Sequence, residues 1–169
     1  MSLPEILEAL KPVKVQTKVV SCPITPIEIP GITAGNTFTA NDAFGTLMEL
    51  EVPVSGVIYS ATLFDLDDEA LQIDLEIFKH TITQVTSEDP WTCSDLDILK
   101  FVTELAFSSF DDHNGSQTSE LTNIGKAYSA PEGKFYIQAI ARGGSDIAAG
   151  HMPRFQLQIL SDNPNWLER

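Results

Sequence analysis

Regular alternation of apolar and polar residues between positions 44 and 78 is the feature that most constrains the fold. Every second residue is apolar in 46–54 and again in 71–78, and 57–64 is an apolar run entered through Ser55-Gly56. An acidic turn, Asp65–Glu69, separates the last two segments. Period-two alternation bounded by Gly, Pro and Asp is typical of half-buried antiparallel strands. The same signals predict further strands at 36–40, 100–107, 134–141 and 154–160.

These strands are short and their connections vary in length, which predicts an all-β fold, an antiparallel β-sandwich of jelly-roll type. Residues 94–99 are predicted to form a brief helical turn capped by Ser94, and 108–125 and 143–150 to be exposed loops. The alternation also chooses the buried face of three strands. The predicted core residues are Leu50, Val52, Ile73, Leu75, Ile77, Phe155, Leu157 and Ile159.

The charge of the chain excludes two classes of partner. The 169 residues carry 24 acidic and 10 basic side chains, a formal net charge of −14. Nucleic-acid binding by a basic surface needs clustered Lys and Arg, and adsorption to an anionic membrane needs them too. The sequence therefore predicts neither partner. No apolar run is long enough to span a bilayer and no secretory signal is recognisable at Met1–Leu10, so folding in a cytoplasm is expected.

The sequence lacks the patterns that carry catalytic or metal chemistry. His80, His113 and His151 are far apart, and no HxH, HExxH, GxSxG, P-loop or dinucleotide pattern occurs. Cys22 and Cys93 are isolated, which favours two thiols over a redox or metal pair, with a disulfide as the alternative. The chain is predicted not to be an enzyme and to need no cofactor or metal.

Two features of the sequence allow a second interpretation. Asp65–Glu69 resembles the start of a calcium loop, but Ala70 stands where that loop needs Gly, so an acidic turn is favoured over a weak cation site. Trp91 follows Pro90 and Trp166 lies near the end of the chain. An exposed aromatic side chain could stack on a sugar or fill a partner's pocket, whereas the commoner role is to cap the edge of the chain's own core.

The first 35 residues differ from the remainder, which predicts two parts: an N-terminal arm (1–35) and a β-sandwich domain (36–169). A short helix is predicted within 1–12, followed by an extended segment rich in Pro and Ile. An apolar extended segment needs a surface to lie against, either a neighbouring subunit or, as the alternative, its own domain. The residues predicted to bind a partner are Lys11, Val13, Lys14, Val15, Lys18, Val19, Ile24, Ile27 and Ile29.

Several motifs in order along 36–162 resemble a family of small β-rich bacteriophage virion proteins. The shared pattern is a Gly before each of two strands, an aspartate-rich turn, a strand ending in Phe, a Ser-Asp-x-Asp, an aromatic strand running into Arg-Gly, and a final amphipathic strand. The residues that carry it are Gly45, Gly56, Asp65, Asp67, Phe78, Ser94, Asp95, Asp97, Tyr136, Arg142, Gly143 and 155–160. The resemblance implies a structural protein of the particle, on either head or tail.

Two functions of different classes follow. The first is a non-enzymatic capsid decoration or cement protein, assembled in the host cytoplasm and located on the surface of the virion. Its partners would be the major capsid protein or another virion protein and further copies of itself, with a homotrimer expected because multiplied weak contacts strengthen attachment. The alternative is a tail- or fibre-associated module that binds a receptor or a carbohydrate. An apolar, slightly basic arm favours the first.

Overall fold

The computed structural model describes residues 18–29, 36–148 and 150–161. These residues form thirteen strands and one 3-10 turn (Ile98–Lys100), and no α-helix is present among them. The strands are β1 (Lys18–Ser21), β2 (Thr25–Pro26), β3 (Asn36–Phe38), β4 (Ala43–Glu51), β5 (Ser55–Asp65), β6 (Ile73–Phe78), β7 (Phe101–Phe107), β8 (Asp111–Asp112), β9 (Gln117–Leu121), β10 (Lys126–Ser129), β11 (Lys134–Ala141), β12 (Ser145–Ile147) and β13 (Arg154–Ser161).

Two antiparallel sheets make up the fold. The seven-stranded sheet has the order β1-β13-β5-β9-β8, with β10 also paired to β5 and β2 to β13. The four-stranded sheet has the order β4-β11-β6-β7, and β12 pairs with β3 separately. All of these pairings are antiparallel. The prediction of an all-β antiparallel fold is therefore confirmed.

One hydrophobic core lies between the two sheets, and it uses the faces that the alternation predicts. Leu75 and Ile77 face it from the four-stranded sheet, and Leu63 and Leu157 from the seven-stranded sheet. All eight predicted core residues are at most 3% exposed. The predicted buried faces are correct because the register of a strand is strongly specified when one of its faces is buried. A shift of one residue would move every apolar side chain of the strand to the opposite face. The predicted strands agree with the structure to within about three residues at each end.

Residues 18–29, which belong to the predicted arm, are part of the sandwich. β1 pairs with β13, with Lys18 opposite Ser161. Ile27 and Ile29 lie in the central core together with Cys22. The prolines do not prevent this, because β1 ends before Pro23 and Pro26 lies in a two-residue strand at the sheet margin, a place where proline is tolerated. The boundary predicted at 35/36 is thus corrected.

A close backbone approach fixes this segment against β4. Gly45 has φ +73°, and a Cβ atom at this position would lie only 2.6 Å from the carbonyl oxygen of Glu28. The next amide, of Thr46, donates a hydrogen bond of 2.9 Å to the same oxygen. Both the positive φ and the lack of a side chain are properties that glycine alone supplies at low cost.

The predicted loops at 108–125 and 143–150 are wrong in part, because they contain β8, β9 and β12. β9 has the sequence QTSEL and pairs with the second half of β5, with Leu63 opposite Ser119. Ser119 is 2% exposed, so a small polar residue occupies the position where an apolar one would mark a strand. The alternation is therefore not visible in hydropathy, and backbone pairing with β5 stabilises the strand.

The outer face of the four-stranded sheet is covered by the segment after β6. Phe78, Ile82 and Tyr136 form a second hydrophobic cluster there, and Trp91 packs against it, so this tryptophan caps the edge of its own core.

Glu76 also faces outward from the four-stranded sheet. Burial raises the pKa of its carboxyl group, although a hydrogen bond from Trp91 opposes this. Its Oε2 has no hydrogen-bond partner among the described residues, and neither has Oε1 of Gln138, its cross-strand neighbour.

Candidate docking surface

Four apolar side chains are exposed together just before and at the start of β7. Leu96 is 74% exposed, Ile98 49%, Leu99 71% and Phe101 37%. We call these four residues the apolar patch. Single exposed apolar residues are common on protein surfaces, but four of them within residues 96–101 make this segment a candidate interaction site.

A buried carboxylate holds the backbone under the apolar patch. Asp97 is 5% exposed, and its Oδ2 accepts hydrogen bonds from Ser94 Oγ at 2.8 Å and from the Thr83 amide at 3.2 Å. Lys100 Nζ donates to Oδ1 at 2.8 Å and to the Thr81 carbonyl oxygen at 2.7 Å. The hydrogen bond from Lys100, and after it the one from Ser94, holds the pKa of Asp97 well below its usual range.

The turn is therefore fixed before any partner arrives, and its aliphatic side chains point away from the core. The Ser94 hydroxyl also accepts a hydrogen bond from the Asp97 amide at 3.1 Å, as predicted for a cap, but the 3-10 turn itself is Ile98–Lys100 and its N-cap is Asp97. Groups that are already ordered lose less conformational entropy when a partner binds. A rigid apolar turn is thus well suited to docking against another protein.

A cleft borders the apolar patch and shares Phe101 with it. The cleft has a volume of about 230 Å³ and lies between the starts of β7 and β10, at the margins of the two sheets. We call it the lysine cleft, and define it by Lys79, Phe101, Lys126, Tyr128 and Ser129, all of which line it. Phe101 contacts Phe78 edge to face, with 5.8 Å between the ring centroids.

The two lysines of this cleft differ from the other basic residues near them. Lys100 pairs with Asp97 at 2.8 Å and Lys134 with Glu49 at 2.7 Å. Lys79 and Lys126 form no ion pair with a carboxylate in the described part of the chain. In a protein of net charge −14, two adjacent uncompensated cations can attract an acidic partner.

The residues predicted to bind a partner lie in different parts of the structure or outside the described residues. Lys11, Val13, Lys14 and Val15 lie outside the described residues. Lys18 and Val19 are exposed on β1, the outer strand of the seven-stranded sheet, and Ile24 is 50% exposed beyond it.

Ile27 and Ile29 are at most 5% exposed in the core of the same chain. The assignment of these two as partner-binding residues is therefore corrected, since no partner can reach them in the folded protein.

The apolar patch itself was not among the predicted binding residues, although the sequence contains a signal for it. Segment 94–100, SDLDILK, places three aliphatic residues in a capped turn between acidic ones. Such a turn is too short to bury an apolar face against a core, because a helical stripe that faces a core needs several turns. Aliphatic residues in a turn of this length are therefore candidates for exposure.

The acidic turn after β5 uses its central carboxylate to hold the backbone. Asp65 is 1% exposed and accepts the amides of Asp67, Glu69 and Leu71 at 3.0, 3.1 and 3.2 Å. This confirms the interpretation as a turn and uses the oxygens that a calcium loop would need for its ion. Among the described residues no group of three or more His, Cys, Asp or Glu is placed to hold a metal ion.

The remaining titratable candidates also have local roles. His113 Nε2 lies 2.9 Å from Thr118 Oγ1, and Asp112 Oδ1 accepts the Asn114 amide at 2.6 Å, so each of these side chains bonds within its own hairpin. Cys22 and Cys93 are free thiols, as favoured from their spacing. Burial raises the pKa of the Cys22 thiol to about 12, which keeps it protonated and unreactive.

Comparison with protein-family models and with curated proteins gives no match for this chain. Within residues 18–29, 36–148 and 150–161, no helix has the length and apolar character needed to cross a membrane.

Proposed function

We propose that the sandwich is a jelly roll whose first strand is formed by residues 18–26. The strand orders β1-β13-β5-β9 and β4-β11-β6-β7 support this. In chain order, the eight strands start in one sheet with β1, cross to β4 and return to β5. β6 and β7 then follow together in the four-stranded sheet, and β9, β11 and β13 alternate between the sheets until β13 closes beside β1. This is the connectivity of two nested Greek keys, an arrangement that recurs in viral capsid and lectin domains.

We propose further that the chain is a non-enzymatic structural protein of a bacteriophage virion, a decoration or cement protein on the head lattice. The observation that carries this proposal is the apolar patch on a rigid turn, which gives the chain a surface suited to another protein. The resemblance over residues 36–162 and the jelly-roll connectivity support the same role, the latter as an analogy of fold.

The chemistry of the apolar patch favours a protein lattice over the alternative of a receptor- or carbohydrate-binding module on a tail or fibre. Leu96, Ile98 and Leu99 are aliphatic, and aliphatic side chains fill a protein pocket, whereas recognition of a sugar ring relies on aromatic stacking and convergent polar groups. The predicted arm remains a proposal for the residues before Lys18, which include Lys11 and Lys14.

The test is binding of the full chain to purified particles assembled without it. Replacing Leu96 and Leu99 together by Ser removes two side chains that each contribute about 1.5 kcal/mol when buried in an interface. The expected loss is about 100-fold in affinity. Tyr59→Ser is the matched control, because Tyr59 is 41% exposed on the other sheet. Equal binding of the wild type and the double variant with Ser at positions 96 and 99 would contradict the proposal.

A further inference from the structure

Opposite charges lie near the two ends of the long strand β5, with lysines near its start and acidic residues after its end. Near its start, Lys126 on β10 is opposite Ile58, and Lys79 lines the same cleft. After its end comes the acidic turn, with Asp68 and Glu69 exposed. With a rise of about 3.3 Å per residue, the seven residue steps from Ile58 to Asp65 place these two regions about 23 Å apart.

A second pair of acids lies at the far end of β5. Asp111 and Asp112 form β8, both are exposed, and they pair with Thr118 and Gln117 of β9. These two partners are in turn opposite Phe64 and Asp65, the last residues of β5.

We call Asp68, Asp111 and Asp112 the acidic end. Arg154 is opposite Phe64 and brings one cation to the same region, where the three carboxylates outnumber it.

We propose that the lysine cleft binds the acidic end of a second copy of this chain, so that the protein assembles head to tail. The cleft offers two cations without carboxylate partners beside the ring of Phe101, and the acidic end offers exposed carboxylates on a hairpin and a neighbouring turn. Complementary charge of this kind guides association and fixes which surfaces meet.

The same charges exclude the simplest alternative contact between two copies. A twofold dimer through the cleft would bring Lys79 and Lys126 of one copy against the same residues of the other, and four cations would face one another. Like charges brought together in this way cost several kcal/mol. A contact between two different surfaces avoids this, and it closes into a ring when each copy is rotated suitably from the last.

This inference rests on the proposed role as an assembling virion protein, but it concerns a different contact. Attachment to particles is tested through Leu96 and Leu99, whereas self-association is tested through charges that lie outside the apolar patch. A chain that binds particles without self-associating would overturn only the present inference. A chain that self-associates but does not bind particles would overturn only the proposed function.

The experiment uses sedimentation velocity of the full chain and two charge-reversal variants. The cleft variant is Lys79→Glu with Lys126→Glu, and the end variant is Asp68→Lys with Asp111→Lys. Each variant alone is expected to associate at least tenfold more weakly than the wild type. The control Arg154→Glu makes the same kind of reversal at the acidic end without weakening its negative charge, and it should associate as the wild type does.

Mixing the two variants provides the decisive step. The cleft variant keeps its acidic end and the end variant keeps its cleft, so one native contact forms between them, and the two reversed surfaces also complement each other. The equimolar mixture should therefore associate again, in assemblies in which the two variants alternate, which would also show that both variants are folded. A wild type that is monomeric at every soluble concentration, an end variant that associates normally, or a mixture that stays dissociated would each overturn the proposal.

Discussion

The place of residues 18–29 in the sandwich can be tested by comparing two isoleucines three positions apart. Ile27 is fully buried, whereas Ile24 is 50% exposed. Replacing Ile27 by Ala removes three carbon atoms, which at about 0.8 kcal/mol per methylene amounts to about 2.5 kcal/mol. The cavity that remains adds to this, so we expect Ile27→Ala to lower the free energy of unfolding by about 3 to 4 kcal/mol. Ile24→Ala should cost less than about 1 kcal/mol.

The assay is urea unfolding of both variants followed by far-ultraviolet circular dichroism, which reports the loss of strand structure. The expected result is a clear fall in the urea midpoint for Ile27→Ala and a small one for Ile24→Ala, with similar slopes. Equal shifts would refute the reasoning, because they would mean that Ile27 is no more buried than Ile24. The same reasoning predicts that a chain starting at Asn36 does not fold, since it lacks Cys22, Ile27 and Ile29 of the core.

Three further changes test separate parts of the structure. Gly45→Ala should destabilise by at least about 2 kcal/mol, from the left-handed backbone together with the contact on Glu28, and an unchanged unfolding midpoint would contradict this. Glu76→Gln should raise the free energy of unfolding at pH 7 by about 1 kcal/mol, because a neutral amide replaces a carboxylate that burial disfavours. Because burial raises the pKa of Glu76, folding disfavours its ionised form, so wild-type stability should fall as the pH rises above the ordinary value of 4.5, and the variant should lose that part of the slope. Identical pH profiles would contradict the assignment. In the folded protein a thiol reagent should modify the partly exposed Cys93 and spare the buried Cys22, and rapid reaction of both would contradict the burial of Cys22.

The sequence predicts the strands that have one apolar and one polar face, and it misses those that do not. In 71–78 the alternation shows both the strand and its buried side. In β9 the buried position is Ser119, so nothing in the apolar pattern indicates a strand, and only the pairing with β5 reveals it. Local pattern cannot report such a strand because its stability comes from residues far away in the chain.

The apolar patch was likewise not predicted from the local sequence pattern. Proline content and charge directed the prediction toward the first 35 residues, yet Ile27 and Ile29 serve the core. The sequence correctly indicates a short helical turn in this segment, although its helical residues are Ile98–Lys100 and its N-cap is Asp97. That its leucines face outward depends on Asp97, whose buried carboxylate fixes the turn through contacts with Thr83 and Lys100. The contact with Thr83 joins residues 14 positions apart, so it is not readable from local periodicity.

The most direct test of the proposed function is cryo-electron microscopy of intact particles. We expect repeated copies of the sandwich on the outer surface of the head, with Leu96 and Leu99 buried against a lattice protein. Density for the chain confined to a tail or fibre, or a head-bound copy whose apolar patch faces solvent, would contradict it.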